Sequence, residues 1–294
     1  MVKISAFPKC WIEKICSGEM DLHEWIDIAQ QLECDGLELY FGFFRTYDDD
    51  YLSEVRRHIA DCNMEFSMMC ASPDFTRPSR GERLEEIEKE KELIRATARL
   101  GGRFTRILSG QKRPGLSIED GVAMTVECIE ACLPCAAENG VTLAMENHYK
   151  DGYWTYPEFA QKIDVFMSVV TQIDSPYFGV QYDPSNTLVA NEDPLELLNL
   201  VVSRVKTVHA SDRYVAAGYD PSEVLQSAGD IGYHPALRHG VVGKGLNDYD
   251  AIFKKLSSVG FDSWVSLEDG MNGMEEMKES VDFLKKMRSK YFSK

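Results

Sequence analysis

The sequence predicts an α/β chain folded as one (β/α)8 TIM barrel spanning residues 1–294. Three observations lead there. Apolar runs of strand length alternate eight times with amphipathic helical patterns, no low-complexity linker interrupts the alternation, and four of the later runs each end in a residue able to bind a metal. At 294 residues and 44% hydrophobic content the chain is long enough for one large core. Barrels of this size commonly form a single domain.

The strands are expected at residues 2–6, 36–40, 65–71, 104–108, 142–147, 178–183, 205–210 and 264–268. Helical patterns fall between them, near 21–33, 51–62, 81–100, 117–138, 156–170, 193–202, 247–258 and 273–291. Several carry exit signals, such as Gly101 and Asn139-Gly140, where a left-handed residue ends a helix. A doubly wound open sheet is the fallback, and the missing Gly-rich phosphate fingerprint after the first strand counts against its nucleotide-binding versions. The connection from Ala210 to Leu246 is longer than a structural loop needs and rich in Gly, Tyr and His, which marks it as a lid or binding loop.

Four runs carry the chemistry: Thr142-Leu-Ala-Met-Glu146, Phe178-Gly-Val-Gln-Tyr-Asp183, Val205-Lys-Thr-Val-His209 and Trp264-Val-Ser-Leu-Glu268. Side chains alternate along a strand, so counting back by twos from each ligand gives one face. That face reads Thr142/Ala144/Glu146, Gly179/Gln181/Asp183, Val205/Thr207/His209 and Trp264/Ser266/Glu268, mostly small or polar, while the opposite face, Lys206 excepted, is apolar. A closed barrel with a polar site at one end and helices outside asks for that pattern. Three carboxylates and an imidazole arriving at the C-terminal ends of neighbouring strands suit one divalent metal ion. Mn2+ or Mg2+ fits the hard oxygen donors, with Co2+ or Zn2+ as alternatives.

The net charge of −16 argues against a nucleic-acid backbone or an anionic membrane as partner. The N-terminal residues show no secretory leader, and no run is long and apolar enough to span a bilayer, so a soluble, cytoplasmic protein is expected. The eight cysteines read as reduced. Cys128, Cys132 and Cys135 share one helix face as small core residues, and Cys70, near the end of a strand, is the one to watch.

Met145-Glu146-Asn147-His148, Tyr182-Asp183-Pro184-Ser185-Asn186, Val208-His209-Ala210-Ser211-Asp212 and the C-terminal pattern from Gly243-Lys-Gly245 through Trp264 to Glu268 give the chain a family likeness. It resembles the xylose-isomerase-like barrel superfamily, which includes ketose 3-epimerases, hydroxypyruvate isomerases, inosose dehydratases and endonuclease IV. The resemblance implies that Glu146, Asp183, His209 and Glu268 hold one catalytic metal. It also implies a sugar isomerase or epimerase in carbohydrate metabolism, working by proton transfer through a metal-stabilised enediolate on a ketose, keto-sugar or sugar acid. Glu146 and Glu268 are the expected acid–base groups. A lyase or dehydratase of the inosose dehydratase or keto-C-glycoside-cleaving type, sharing the same proton abstraction, is the alternative; a barrel that has lost activity is disfavoured by the intact ligand set.

Departures from the relatives narrow this. Asn186 stands where endonuclease IV and the ketose 3-epimerases place His, and segments 65–75 and 104–113 hold no His, which disfavours a DNA-repair nuclease. Gly152 stands where the epimerases carry a Glu. His148 is the candidate for a further catalytic role, as a proton shuttle or as a residue orienting a ligand. Asn186, Arg213, His239 and Lys244 are candidate substrate contacts. Trp154 with Tyr153 forms an apolar wall against a sugar ring or caps the next helix, and Arg106 and Glu38 are expected as a structural ion pair. The expected partners are a small carbohydrate substrate and copies of the same chain in a homodimer or homotetramer.

Overall fold

Strand-length runs with one small or polar face and one apolar face close on themselves when helices cover the apolar side. The computed structural model describes residues 1–226 and 233–292. Among these residues the strands are β1 Lys3–Ala6, β2 Gly36–Tyr40, β3 Glu65–Cys70, β4 Phe104–Ile107, β5 Thr142–Glu146, β6 Phe178–Tyr182, β7 Val205–Ala210, β8 Arg213–Val215, β9 Leu237–His239 and β10 Trp264–Leu267. β1 to β7 and β10 form a closed parallel barrel in sequence order, with β10 returning to pair β1. β8 and β9 form a separate antiparallel hairpin within the long connection after β7. The outward residues of the strands, among them Leu37, Leu39, Leu143, Met145, Val180, Val208, Val265 and Leu267, are buried in the main apolar core.

Stagger between strands sets the ligands at one end. Glu146 pairs in register with Gln181, Gln181 with Thr207, and His209 with Ser266. Asp183 and Glu268 each lie two residues beyond those partners, so all four side chains project from the C-terminal rim. The register shift between Val180 and Gln181 inserts Lys206 as an extra residue. The expected alternation therefore fails at Lys206: a Cβ on Gly179, which belongs to the inner face, would lie 2.3 Å from Lys206 Cγ, so the lysine stem runs over this glycine at the lower end of the barrel.

Two helical expectations need correction. The helix expected near 156–170 spans only Ile163–Val170, because residues before it are tied to the loop after β4. There the Phe159 N–H donates to Gly110, the Ala160 N–H to Ser109 Oγ, and Gln111 bridges Glu158. The region near 193–202 holds the helix Pro194–Val201, and an additional helix, Pro184–Val189, precedes it. Asp183 caps that extra helix by accepting from the Asn186 N–H, and Pro184 occupies its first turn. All eight cysteines are free, with Cys128, Cys132 and Cys135 buried as expected. No helix among the described residues is long and apolar enough to cross a membrane.

Candidate metal centre

Glu146, Asp183, His209 and Glu268 are all buried, and one ligand atom from each lies within 4.8 Å of the others. The His209 ring organises the cluster. Its Nδ1 faces Glu146 Oε1 at 3.1 Å, Glu268 Oε2 at 3.7 Å and Asp183 Oδ2 at 4.0 Å. Its Nε2 lies on the far side, 2.8 Å from Glu38 Oε1 and 3.0 Å from Glu38 Oε2. Glu38 thus fixes the ring so that Nδ1 is the atom offered to the centre, the role a carboxylate commonly plays behind a metal-binding imidazole. The expected Glu38–Arg106 ion pair does not form. Glu38 reaches across the barrel to His209, whereas Arg106 on β4 bonds its near neighbours: its guanidinium donates to Glu146 Oε2 at 2.8 Å, Ser72 Oγ at 2.7 Å and the Ala71 carbonyl at 2.9 Å.

The two glutamates differ in how firmly they are held. Glu146 is bonded at both oxygens, by Arg106 at Oε2 and by Asn186 Nδ2 at 3.1 Å to Oε1. Glu268 has one ion-pair partner besides His209, the ammonium of Lys9, 3.2 Å from Oε2. Lys9 comes from the segment after β1, was not singled out from sequence, and sits half-buried at the rim with Asp269 also near it. Asp183 divides its oxygens: Oδ1 accepts from the Asn186 N–H and from Ser211 Oγ, while buried Oδ2 has no hydrogen-bond partner among the described residues.

These residues fit a divalent cation on the molecule's own terms. Burial raises Asp183 to about 7, with the charges of Glu268 and Glu146 pushing the same way. Burial also opposes ionisation of Glu146, but the charges of His209 and Arg106 hold it down to about 2. Glu268 is likewise held low against its burial, first by Lys9 and then by His209. His209 stays protonated despite burial because Glu38, Glu268 and Glu146 surround it. A field that favours a proton on Nδ1 favours a divalent ion in its place, and the orphaned Asp183 Oδ2 points at that position.

The remaining expected site residues separate into groups. Asn186 touches Glu146. His148 is buried beside the cluster, stacked on Tyr149, with Nδ1 4.0 Å from Glu158 Oε2. Neither atom has another partner among the described residues. Glu158 was missed from sequence; its other oxygen accepts from the Ser109 N–H and Oγ, and burial raises it to about 8. Burial, with Arg106 adding, lowers His148, so the two groups meet as a neutral pair. His239 bonds Asp269, the residue after Glu268, at 2.6 Å.

Arg213 and Lys244 are not brought to the cluster. Arg213 is buried under the hairpin, its guanidinium 4.7 Å from the centre of the Tyr233 ring and 5.8 Å from that of Tyr149. Lys244 is exposed and pairs with Glu279 on the outer helix Met274–Phe292. Trp154, Tyr153 and Phe41 line two adjoining cavities of about 280 and 620 Å³. Ser72 lies on the floor of both, and Arg106 bridges it to Glu146.

The long connection is tied at its base. The Asp212 carboxylate accepts from the N–H groups of Gly243 and Gly245 at 2.9 Å each, and of Asn247 at 3.1 Å. Beyond this clasp Ala216, Val224, Ala236 and Leu237 bury one another with Val189 as a small satellite core. Its middle, residues 227–232, lies outside the described residues, so the lid expectation is unresolved there.

A family model described as xylose isomerase-like TIM barrel matches residues 26–287. The chain belongs to that family. An inosose dehydratase from Geobacillus thermodenitrificans is 26% identical over 136 residues, covering 45% of this chain and 42% of the relative. The chain thus spans less than half the length of that curated relative. Among solved structures, the IOLI protein with a bound zinc atom superposes with a TM-score of 0.76 at 15% identity, covering 99% of this chain and 100% of the other. A D-tagatose 3-epimerase-like protein gives 0.74 at 16% identity, covering 98% of each. At such identities the likeness is one of fold.

Proposed function

We propose that the whole chain acts as one domain, a divalent-metal-dependent sugar isomerase or epimerase that moves a proton beside a carbonyl of a ketose, keto-sugar or sugar acid. The observation that carries this reading is the convergence of four buried ligand atoms on one point, with an unpartnered Asp183 oxygen aimed at it. Glu146, Asp183, His209 and Glu268 would hold the ion, which supplies Lewis acidity to a substrate carbonyl and its neighbouring hydroxyl. Three oxygen donors favour Mn2+ or Mg2+, and the zinc in the IOLI structure supports Zn2+ as the alternative.

Glu268 is the residue we assign to proton transfer. Only Lys9 steadies its Oε2 besides His209, so the carboxylate is freer to turn toward a substrate carbon than Glu146, which is bonded at both oxygens. Lys9 keeps Glu268 ionised and so free to accept a proton, while lowering its proton affinity. The His148–Glu158 pair, 4.0 Å apart, is the proposed second proton path. His239 and the Trp154 wall are the proposed substrate contacts, with the adjoining cavities receiving the part of the sugar away from the reacting carbon.

A second reading is favoured by the inosose dehydratase similarity: the same proton abstraction followed by loss of a leaving group. Incubation of metal-loaded protein with ketoses, keto-glycosides and inososes in D2O separates the two. Solvent deuterium at one carbon of an isomeric product supports the isomerase reading. A dehydrated or cleaved product supports the lyase reading, and absence of exchange with every metal and substrate class overturns both.

A further inference from the structure

Outside the barrel, two helices that follow β1 and β2 face each other with metal-binding side chains. His23 and Asp27 lie one turn apart on the helix Leu22–Ala29. His58 and Cys62 lie one turn apart at the end of the helix Asp49–Asp61, Cys62 being its last cap. Residues spaced by four share a helix face, so each helix presents a pair to the other. Ligand atoms of Asp27, His58 and Cys62 lie within 4.8 Å of one another.

The imidazole of His58 is held on both sides. Its Nε2 is 2.8 Å from Asp27 Oδ1, and its Nδ1 is 2.6 Å from His23 Nδ1, the two rings lying nearly parallel. His23 Nε2 in turn lies 3.8 Å from Glu54. A neutral His58 has one N–H for these two contacts. On Nε2 it donates to the Asp27 carboxylate; an ion taking that proton's place shifts it to Nδ1, where it donates to His23, and meets the Nε2 lone pair.

We propose that Asp27, His58 and Cys62 form a second metal site, facing solvent and selective for Zn2+ over the hard ions suited to the barrel centre, with His23 holding the His58 ring from behind. One nitrogen, one oxygen and one sulfur donor make a borderline-soft set, and three protein ligands leave a fourth tetrahedral position for water. Asp27 is exposed and His58 and Cys62 are half-buried, so an ion reaches the site without opening the fold. Binding displaces the proton of Cys62 and braces the two helices together.

The sulfur makes the test specific, since the barrel centre has only nitrogen and oxygen donors. Metal-freed full-length protein is titrated with Co2+, a spectroscopic stand-in for zinc, while thiolate-to-Co2+ charge-transfer absorption is followed in the near ultraviolet. The expected result is a band that saturates at one ion per chain, is removed by added Zn2+, and persists in His209→Ala. Cys62→Ser should abolish it. His58→Gln and Asp27→Asn should each weaken the Co2+ affinity about tenfold or more. A wild-type protein with no such band, or a Cys62→Ser variant with an undiminished one, overturns the proposal.

Discussion

The two ends of the barrel are both polar, yet they are built on different terms. The lower end opens into a cavity of about 810 Å³ lined by Lys3, Glu65, Arg103, Lys206 and Trp264, larger than either cavity at the upper rim. Its ion pair, Lys3–Glu65, is 2.6 Å long but its side chains are 43% and 60% exposed, so water screens it. At the upper end the charges are buried, converge on one point, and are each fixed by a named neighbour. Volume alone therefore does not mark the chemistry. Convergent buried charge does, because desolvation makes every contact there count and forces each group to find a partner.

The largest difference between the ends should appear in turnover. Glu268→Gln keeps an oxygen donor but loses the base, so kcat on the substrate found by deuterium exchange should fall about 10²- to 10⁴-fold while metal content, measured by elemental analysis, stays near one ion per chain. Near-normal turnover would reduce Glu268 to a ligand. Next in size is Glu38→Gln, which leaves the four ligands in place and loosens only the His209 ring. Metal affinity should drop about 10- to 100-fold by competition with a chelator. An unchanged affinity would mean that the ring needs no support from behind.

A smaller effect is expected from Glu158. Its folded value of about 8 lies above its ordinary 4.5, so the folded state keeps a proton that the unfolded state releases between those pH values. Stability should accordingly fall as pH rises through that window, by up to about 1.4 kcal/mol per pH unit. Glu158→Gln should flatten the curve of melting temperature against pH, and parallel curves for the two proteins would deny Glu158 this role. The smallest effect belongs to the lower end. Lys206→Ala should change activity little and stability by no more than about 0.5 kcal/mol. A large loss of turnover in that variant would erase the distinction between the ends.

What could be read from the sequence follows the same division. The clustering of the four candidate ligands was legible because each closes a strand whose inner face is small or polar, a pattern that survives intact at His209 even though a bulge misplaces Lys206 below it. Glu38 also carried a signal, a charge in the middle of the strand Gly36–Tyr40. Its partner did not, since strand alternation tells which way a side chain points and nothing about which strand it meets across the barrel. Lys9 and Glu158 lie in loops. Glu158 reaches the interior only because the chain after β5 runs extended against the loop after β4, a pairing set by Gly110 and Ser109 and hidden beneath a helix-like pattern. Arg213, four residues after His209, and Lys244, within Gly243-Lys-Gly245, were candidates by their place in the chain, which does not reveal the Tyr233 ring over Arg213 or the Glu279 carboxylate beside Lys244.

Asp212 has a consequence for how this barrel can change over generations. Its carboxylate joins the start of the long excursion after β7 to the glycines that end it, and a Cβ on Gly245 would come within 2.3 Å of Asp212 Oδ1, so the clasp depends on that glycine. Among the described residues above the clasp, Ala216, Val224, Ala236 and Leu237 share a small core with Val189. Doubling the length of such a closed segment costs only about 0.6 kcal/mol in chain entropy. New residues can thus be added over the rim without disturbing the strands that carry Glu146, Asp183, His209 and Glu268.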